Sequence, residues 1–431
     1  MKGLAPDYVY TPQGLLANQV VRVSDEGMIV EVVERVEGME VTEEMPGLAL
    51  LPGFVNTHSH AFQRGLRGHT QRRLSVHDTF WTWRNAMYAQ AQRLTPESIY
   101  EISRQVYGEM LASGYTSVGE FHYVHHRPDG RPYAHPNALA QAVVQAGRDA
   151  GIRVVLLLTA YARGDFKRPP SDEQRRFCDA SLVAYLERAE ALRISGIPCG
   201  IAPHSVRAVP PDWLEAIADY SRQYQLPFHI HADEQRAEIE QCLEAEDCRP
   251  IELLRRCSAL GPLTTVVHAT HADEHEITLL AEAGATVCVC PTTEGDLGDG
   301  IAPYAELVQA SIPLTIGSDS NTRLDPFEEL RWAEYSARMR YQRRRVLIPD
   351  GISAPGPLLF AYGTRYGAQA LGLQTGLIAP GLAADFIAID LKAPALDGWT
   401  PQDLPDVLCF GASANQVIKQ TWVQGRRVWS V

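Results

Sequence analysis

Lysine is almost absent from this chain. Among its 431 residues, which include 39 lysine and arginine side chains and carry a formal net charge of −13, only Lys2, Lys167, Lys392 and Lys419 are lysines. Nucleic acids and anionic membranes are bound chiefly through surplus positive charge. The composition therefore argues against both as partners.

Long apolar runs and paired cysteines are also missing. No stretch approaches the roughly 20 apolar residues of a membrane span, and residues 1–8 do not resemble the start of a signal peptide. The eight cysteines form no Cys-x-x-Cys pair, so in a large chain without a secretion signal we interpret them as reduced thiols. We expect a protein that stays in the cytoplasm.

The chain does contain a regular alternation of apolar strands and helical patterns, which predicts a parallel sheet. Eight strand candidates are each followed by a possible helix, and they cover residues 48–57, 116–123, 154–160, 199–204, 227–231, 264–268, 286–290 and 313–319. Eight such units favour an α/β fold of the (β/α)8 TIM-barrel type, spanning residues 48–363.

The two ends of the chain have a different texture. Residues 1–47 and 364–431 contain short strands and turns, and we predict that they join in one small β-sandwich domain. A polar and aromatic insertion at residues 64–88 interrupts the barrel pattern after its first strand. We expect this insertion to overhang the barrel mouth as a loop or lid.

Two histidines, His58 and His60, end the first strand candidate. Side chains alternate faces along a strand, so both imidazoles point the same way and can reach one cation. Seen alone, the pair could equally be an accidental polar pair at a strand end. Further histidines and acids fall at the ends of the fifth, sixth and eighth candidates, namely His229, His231, Glu234, His268 and Asp319. The chemistry of a barrel lies at these strand ends, so the set predicts a metal site.

The order of these motifs resembles the amidohydrolase superfamily. The resemblance rests on His58-Ser-His60, His231-Ala-Asp-Glu234, His268, Asp319 and a closing Gly-x-x-Ala-Asp motif at 381–385. More narrowly, residues 58–64, 78–88, 120–126, 202–209, 267–273, 297–301 and 328–332 are similar to the formimidoylglutamate deiminases, and this likeness covers the whole barrel. Asp233 and the segment 320–323 depart from the family pattern.

The scarcity of lysine indicates the type of metal centre that the resemblance implies. Binuclear amidohydrolases are typically bridged by a carboxylated lysine from a barrel strand, whereas the one lysine of the predicted barrel, Lys167, falls in a polar loop. We therefore predict one metal ion per chain, zinc or alternatively iron, with a water completing its shell. The predicted ligands are His58, His60, His231 and Asp319. His229 shares a strand face with His231 and is interpreted as a supporting residue, with ligation as the alternative.

The resemblance also implies a reaction, the hydrolysis of N-formimino-L-glutamate to N-formyl-L-glutamate and ammonia in histidine degradation, and it implies a homodimer. We hypothesise that Asp319 and His268 help to deprotonate and orient the attacking water, and that Glu234 carries protons to the leaving nitrogen. Each role has a simpler alternative, since Glu234 could be a surface acid in the first turn of a helix and His268 could cap its strand.

Arginine side chains suit the two carboxylates of this substrate, because a guanidinium presents paired donors to paired oxygens. The resemblance assigns the position of Arg207 to the α-carboxylate. Arg84, on the insertion, is expected to close over the same end, and Gln63, Tyr123 and His204 are expected to supply neutral hydrogen bonds. The alternative is that both arginines are ordinary surface residues.

Two other functions remain open at this stage. The same metal ligands would serve a deaminase of a ring such as guanine, cytosine or an adenosine derivative, although such a pocket would favour aromatic stacking over arginines. The chain could also be a barrel retained for binding after losing its metal, but such barrels usually lack ligands and none is missing here.

Overall fold

A computed structural model of the chain describes residues 1–71 and 80–431. The strands of the described part form two eight-stranded sheets. They are β1 (Lys2–Thr11), β2 (Gly14–Ala17), β3 (Gln19–Val23), β4 (Ile29–Glu34), β5 (Glu43–Pro52), β6 (Phe54–Ser59), β7 (Tyr115–His122), β8 (Arg153–Ala160), β9 (Cys199–Pro203), β10 (Phe228–Ala232), β11 (Thr264–His268), β12 (Thr286–Val289), β13 (Leu314–Ile316), β14 (Phe386–Asp390), β15 (Ile418–Val423) and β16 (Arg426–Ser430).

Helices follow the strands and pack around them. Those of the described residues are α1 (Phe80–Ala91), α2 (Pro96–Ala112), α3 (Ala138–Ala150), α4 (Leu182–Ile194), α5 (Pro211–Tyr224), α6 (Arg236–Glu246), α7 (Pro250–Arg256), α8 (Glu274–Ala283), α9 (Pro291–Leu297), α10 (Tyr304–Gln309), α11 (Pro326–Tyr341), α12 (Gly356–Gly363), α13 (Arg365–Ala370), α14 (Leu404–Gly411) and α15 (Ala414–Val417). Short 3-10 helices cover Ala61–Leu66 and Pro394–Leu396.

The barrel consists of β6 to β13, which pair in chain order and in parallel. Two backbone hydrogen bonds join its first and last strands at their carboxyl ends. The Asp319 N–H donates to the His58 carbonyl at 3.0 Å, and the His60 N–H donates to the Asp319 carbonyl at 2.9 Å. The predicted (β/α)8 barrel is confirmed, and its closure brings both ends of the ligand set together.

Helix α2 shows how local sequence determines an element of the outer layer. Thr95 caps its N-terminus by accepting from the Ser98 N–H, and proline occupies the first turn, where no backbone donor is needed. Apolar side chains at helical spacing, including Ile99 and Val106, are buried against the barrel. The helix and its cap agree with the sequence pattern.

The second sheet joins the two ends of the chain. Its strands lie in the order β16-β15-β14-β5-β1-β3-β4, with β2 paired to β1, and all pairs except β1 and β5 are antiparallel. The predicted small β unit is therefore confirmed as one connected sheet.

A buried ion pair joins this sheet to the barrel floor, which is the end at which the barrel strands begin. Arg153, the first residue of β8, contacts the Asp385 carboxylate, whose side chain is fully buried. The same carboxylate accepts from the Thr375 hydroxyl at 2.7 Å and from the Gln424 N–H at 2.8 Å. The closing Gly-x-x-Ala-Asp motif thus lies at the junction, at the end of the barrel opposite the metal ligands.

The prediction for the first barrel strand was wrong in where the strand begins. Residues up to Pro52 belong to β5 of the small sheet, and β6 begins at Phe54. Gly53 lies between the two strands. A larger residue does not fit at this position, because a Cβ there would lie 2.2 Å from the Thr116 side chain. Residues 48–57 form a largely apolar run, so the sequence pattern does not show where β5 ends and β6 begins. The domain boundaries at residues 47 and 363 stay predictions.

The predicted insertion at 64–88 is described in part, since residues 72–79 lie outside the described residues. Helix α1 forms its second half, with Met87 and Tyr88 buried against the rest of the protein. Within residues 1–71 and 80–431, no helix is both long and apolar enough to cross a membrane.

Candidate active site and metal centre

Four side chains converge where the barrel closes. His58 Nε2 lies 3.1 Å from both His60 Nε2 and His231 Nε2. Asp319 Oδ1 lies 3.4 Å from His58 Nε2 and 3.2 Å from His60 Nε2. Zinc bonds of about 2.0–2.1 Å at tetrahedral angles would place donor atoms roughly 3.3 Å apart. The donor atoms of His58, His60, His231 and Asp319, which all lie within 4.8 Å of one another, are therefore close enough together to bind one cation.

Backbone carbonyls fix the orientation of two of these imidazoles. His60 Nδ1–H donates to the Phe121 carbonyl at 2.8 Å, and His231 Nδ1–H donates to the His204 carbonyl at 2.9 Å. Each Nε2 lone pair is thereby directed at the centre, as in other metal sites in which the second ring nitrogen is held. Among the described residues, the buried Nδ1 of His58 has no hydrogen-bond partner, so this ring lacks such a bond.

The protonation states also suit a cation. Burial lowers the pKa of His58 to about 3 and holds the pKa of His231 well below its usual value. Both rings are then neutral near pH 7, the form that binds a metal. Burial acts to raise the pKa of Asp319, but hydrogen bonds with His58 and His60 outweigh it and hold that pKa well below its usual value.

The two oxygens of Asp319 face different groups. Oδ1 faces the histidines of the first strand, whereas Oδ2 lies 3.9 Å from His268 Nε2. The same His268 nitrogen lies 3.8 Å from Glu234 Oε1. Burial opposes protonation of His268, but the carboxylates of Glu234, Glu294 and Asp319 raise its pKa well above the usual value. Burial raises the pKa of Glu234. The carboxylates of Glu234 and Asp319 therefore both face the Nε2 atom of His268.

A pocket opens directly above the ligands. It is lined by all five side chains expected to bind substrate, namely Gln63, Arg84, Tyr123, His204 and Arg207. Six lining residues were not anticipated, namely Phe80, Trp83, Met87, Tyr88, Tyr161 and Leu297. Four of the six belong to α1, so the described part of the insertion forms one wall of the pocket.

The two arginines are poorly partnered within the described residues. Arg207 is 6% exposed, and its Nη1 atom is buried without a hydrogen-bond partner. Arg84 Nε and Nη1 are likewise buried and unpartnered, and its guanidinium stacks on Trp81 at 4.3 Å from the ring centre. A buried guanidinium with free donors is costly unless an anion completes it.

Several polar side chains noted in the sequence lie outside the ligand group. His229 Nε2 faces the Ala370 carbonyl at 3.1 Å, and His125 Nε2 faces the Thr159 carbonyl at 2.7 Å. His271 contacts the Asp299 carbonyl at 2.9 Å. Asp233 is fully buried with both oxygens unpartnered, and burial next to Glu276 raises its pKa well above the usual value.

Other residues near the site carried no recognisable signal in the sequence. Asn321 donates to the Asp319 carbonyl and to Ser59 Oγ, both at 3.1 Å, and so supports the turn that presents Asp319. Glu294 contacts His268 from the side opposite the pocket. The sequence reveals neither contact, although Asn321 lies in the segment 320–323 that departs from the family pattern.

The position of lysine agrees with a centre that has no lysine bridge. Lys167 is exposed on a loop, and its Nζ donates to the Ala245 carbonyl at 2.6 Å. None of the four lysines lines the pocket as described.

Comparison with known proteins agrees with this geometry. The Amidohydrolase family matches residues 49–428. Formimidoylglutamate deiminase from Pseudomonas aeruginosa strain PAO1 is 38% identical over 99% of this chain and 94% of its own. An amidohydrolase from Brucella melitensis has a TM-score of 0.90 and 32% identity, covering 99% of this chain and 94% of the other. An adenosine deaminase from Xanthomonas campestris with bound zinc has a TM-score of 0.81 and 25% identity, covering 99% and 92%.

The family match extends over most of the chain and contains all four ligand positions. The full-length relative is a deiminase, so its chemistry, like that of the adenosine deaminase, is hydrolysis at a carbon–nitrogen bond. The residues that converge on the barrel mouth have the donors that such a metal-dependent reaction requires. This chain belongs to the amidohydrolase family and is a hydrolase that acts on carbon–nitrogen bonds.

Proposed function

We propose that this enzyme hydrolyses N-formimino-L-glutamate to N-formyl-L-glutamate and ammonia, as a step in histidine degradation. The observation that carries the proposal is the pair of underpartnered guanidinium groups, Arg207 and Arg84, in the pocket above the metal ligands. A substrate with two carboxylates remote from its reacting carbon supplies the missing anions. A nucleobase ring supplies none.

Neutral groups complete the proposed substrate contacts. Gln63 donates through Nε2 to the Tyr123 hydroxyl at 2.7 Å, and its buried Oε1 has no partner within residues 1–71 and 80–431. That oxygen can accept a hydrogen bond from a substrate N–H. His204 lies beside Tyr161, with 4.9 Å between ring centres, and faces the same pocket.

We further propose that one zinc ion per chain is held by His58, His60, His231 and Asp319, with iron as the alternative metal. When bound, such a cation acidifies water and supplies a nucleophile near neutral pH. The remaining chemistry belongs to the side chains of this chain. His60 and His231 keep their Nε2 atoms directed inward through their backbone hydrogen bonds.

The proposed proton route uses the three groups around His268. Asp319 Oδ2 accepts one proton from the attacking water as the water oxygen bonds to the formimino carbon. That proton passes by way of His268 Nε2 and Glu234 to the terminal nitrogen. The carbon–nitrogen bond then breaks with release of ammonia, while Asp319 accepts the remaining hydroxyl proton and the formyl C=O forms. The 3.8 Å and 3.9 Å separations around His268 allow a substrate atom or a water to complete these contacts.

A single assay tests the proposal. The zinc-loaded protein is incubated separately with N-formimino-L-glutamate, adenosine, guanine and cytosine, and ammonia release is followed. Turnover of the first compound alone, with N-formyl-L-glutamate identified by mass spectrometry, is the expected result. Turnover of a ring compound without turnover of formiminoglutamate would replace the proposal with ring deamination. The homodimer and the cytoplasmic location stay predictions.

A further inference from the structure

Glu294 is a buried carboxylate that has no part in the mechanism described so far. It lies in α9, immediately after β12, and is 3% exposed. Its Oε1 atom accepts the Cys290 N–H at 2.8 Å and lies 3.3 Å from His268 Nδ1. Because Oε1 already acts as the acceptor of the Cys290 N–H, its contact with His268 is a hydrogen bond that the Nδ1–H donates.

This contact determines which ring nitrogen of His268 is directed at the pocket. With Nδ1–H donated to Glu294, Nε2 is the nitrogen that faces Glu234 and Asp319. The arrangement parallels that of His60 and His231, whose Nδ1 atoms are also tied and whose Nε2 atoms face inward. The hydrogen-bond acceptor differs, because a carboxylate holds His268 whereas backbone carbonyls hold His60 and His231.

We propose that Glu294 is the positioning residue for His268, holding it in the tautomer and orientation in which Nε2 exchanges protons with Glu234 and Asp319. The inference deepens the proposed function, on which its kinetic test rests. Glu294 neither lines the pocket nor belongs to the ligand group, so its contact with the reacting groups runs through His268. An oxygen that accepts a hydrogen bond from one ring nitrogen fixes both the tautomer and the orientation of a histidine.

The position of Glu294 is itself held from two sides. Near the start of α9, the backbone N–H and the hydroxyl of Thr292 both donate to the carboxylate of Glu329, a buried residue of α11. At the other end of the helix, the Asp299 N–H donates to the Glu294 carbonyl at 3.0 Å. Glu294 is therefore fixed by the helix that carries it, as expected of a group that must orient another.

A second metal site is the competing interpretation of this cluster. His268, Cys290 and Glu294 each present a potential ligand atom, and these atoms lie within 4.8 Å of one another. The hydrogen bonds of Glu294 Oε1 already satisfy both His268 Nδ1 and the Cys290 N–H. The geometry favours an orienting contact, and the metal count distinguishes the two.

Two substitutions separate orientation from charge. Glu294→Gln removes the charge, but the Cys290 N–H keeps the amide oxygen in the place of Oε1, where it still accepts from His268. Glu294→Leu removes the acceptor altogether. Glu274→Leu, at an exposed position of α8, is the matched control and should behave as the wild type. For each zinc-loaded variant we would measure kcat, KM, metal content and the affinity for N-formyl-L-glutamate.

The expected result is a kcat lower by about 10–100-fold in Glu294→Leu, the usual effect of losing a residue that orients a functional histidine. Metal content and product affinity should be unchanged, and Glu294→Gln should recover most of the rate. Unchanged kcat in Glu294→Leu, equal loss in both variants, or loss of metal and product affinity together would each overturn the proposal. Two metal ions per wild-type chain would do so as well.

A measurement on the wild-type holoenzyme covers the case in which Glu294→Leu fails to fold. The 15N shifts of His268 report which ring nitrogen carries the proton. The proposal requires a protonated Nδ1, and a bare Nδ1 would overturn it. Because this measurement needs no substrate, it tests the role of Glu294 even if formiminoglutamate is not turned over, in which case only the proposed function has failed.

Discussion

Glu234 Oε1 and His268 Nε2 lie 3.8 Å apart where two adjacent barrel strands, β10 and β11, end. Removing the acid–base capacity of Glu234 should stop proton delivery while leaving the ligands in place. We expect Glu234→Gln to lower kcat by about 10²–10⁴-fold with unchanged metal content, measured by ammonia release and metal analysis. Glu240→Gln, at an exposed position of α6, is the control. A turnover of Glu234→Gln close to wild type would remove Glu234 from the mechanism.

Arg207 should determine how tightly the enzyme binds carboxylate-bearing substrates. We expect Arg207→Met to lose about 2–5 kcal/mol of transition-state binding, because the buried substrate carboxylate is left unpaired. The loss should appear in kcat/KM for formiminoglutamate and should shrink for an N-formimino compound without the corresponding carboxylate. Arg148→Met, on the exposed surface of α3, should change neither value. Equal losses on both substrates would mean that Arg207 supports the fold.

Metal removal should abolish activity and also reduce stability. The ligand group brings four donor atoms together in the folded chain alone, so a bound ion stabilises the native state, by about 2.7 kcal/mol at a free concentration of 100 times its Kd. We expect a chelator to lower both the melting temperature and ammonia release, and zinc to restore both. Metal analysis of active enzyme should find one ion per chain. Two ions would contradict the mononuclear centre.

The Arg153–Asp385 ion pair should contribute to stability and not to catalysis, since it lies at the barrel floor. Arg153→Met leaves the Asp385 carboxylate buried without its charge partner, and we expect a loss of about 3–5 kcal/mol in the free energy of unfolding. Arg427→Met breaks an exposed pair with Glu43 in the same sheet and should cost about 0–1 kcal/mol. Urea unfolding measures both, and kcat per folded molecule should be unchanged. Similar losses in the two variants would contradict this assignment.

The sequence revealed the ligand group because a barrel places its chemistry at strand ends. His58, His231 and Asp319 each end an apolar run, and their order along the chain needs no knowledge of packing. The break at Gly53 was not visible, because apolar residues on both sides of it are buried in different sheets. Only the pairing of the two strands in separate sheets shows the break.

Supporting residues were harder to find, because their roles depend on contacts between distant segments. Glu294 follows Cys-Pro-Thr-Thr in the pattern of an ordinary first-turn acid, and only the structure shows its contact with His268. No sequence pattern distinguishes Arg176 from the other arginines, but it is fully buried and its guanidinium donates to the carbonyls of Leu94 and His126. Composition cannot separate such a residue from its exposed neighbours.

The ligand group lies where the first and last strands of the barrel meet, so its residues are synthesised at different times. Asn56 and Ser318, which flank the ligands and bond to each other at 2.6 Å, are 262 positions apart in the chain. A ribosome therefore makes His58 and His60 long before it makes Asp319. The complete set of proposed ligands exists only in molecules whose ring of strands has closed.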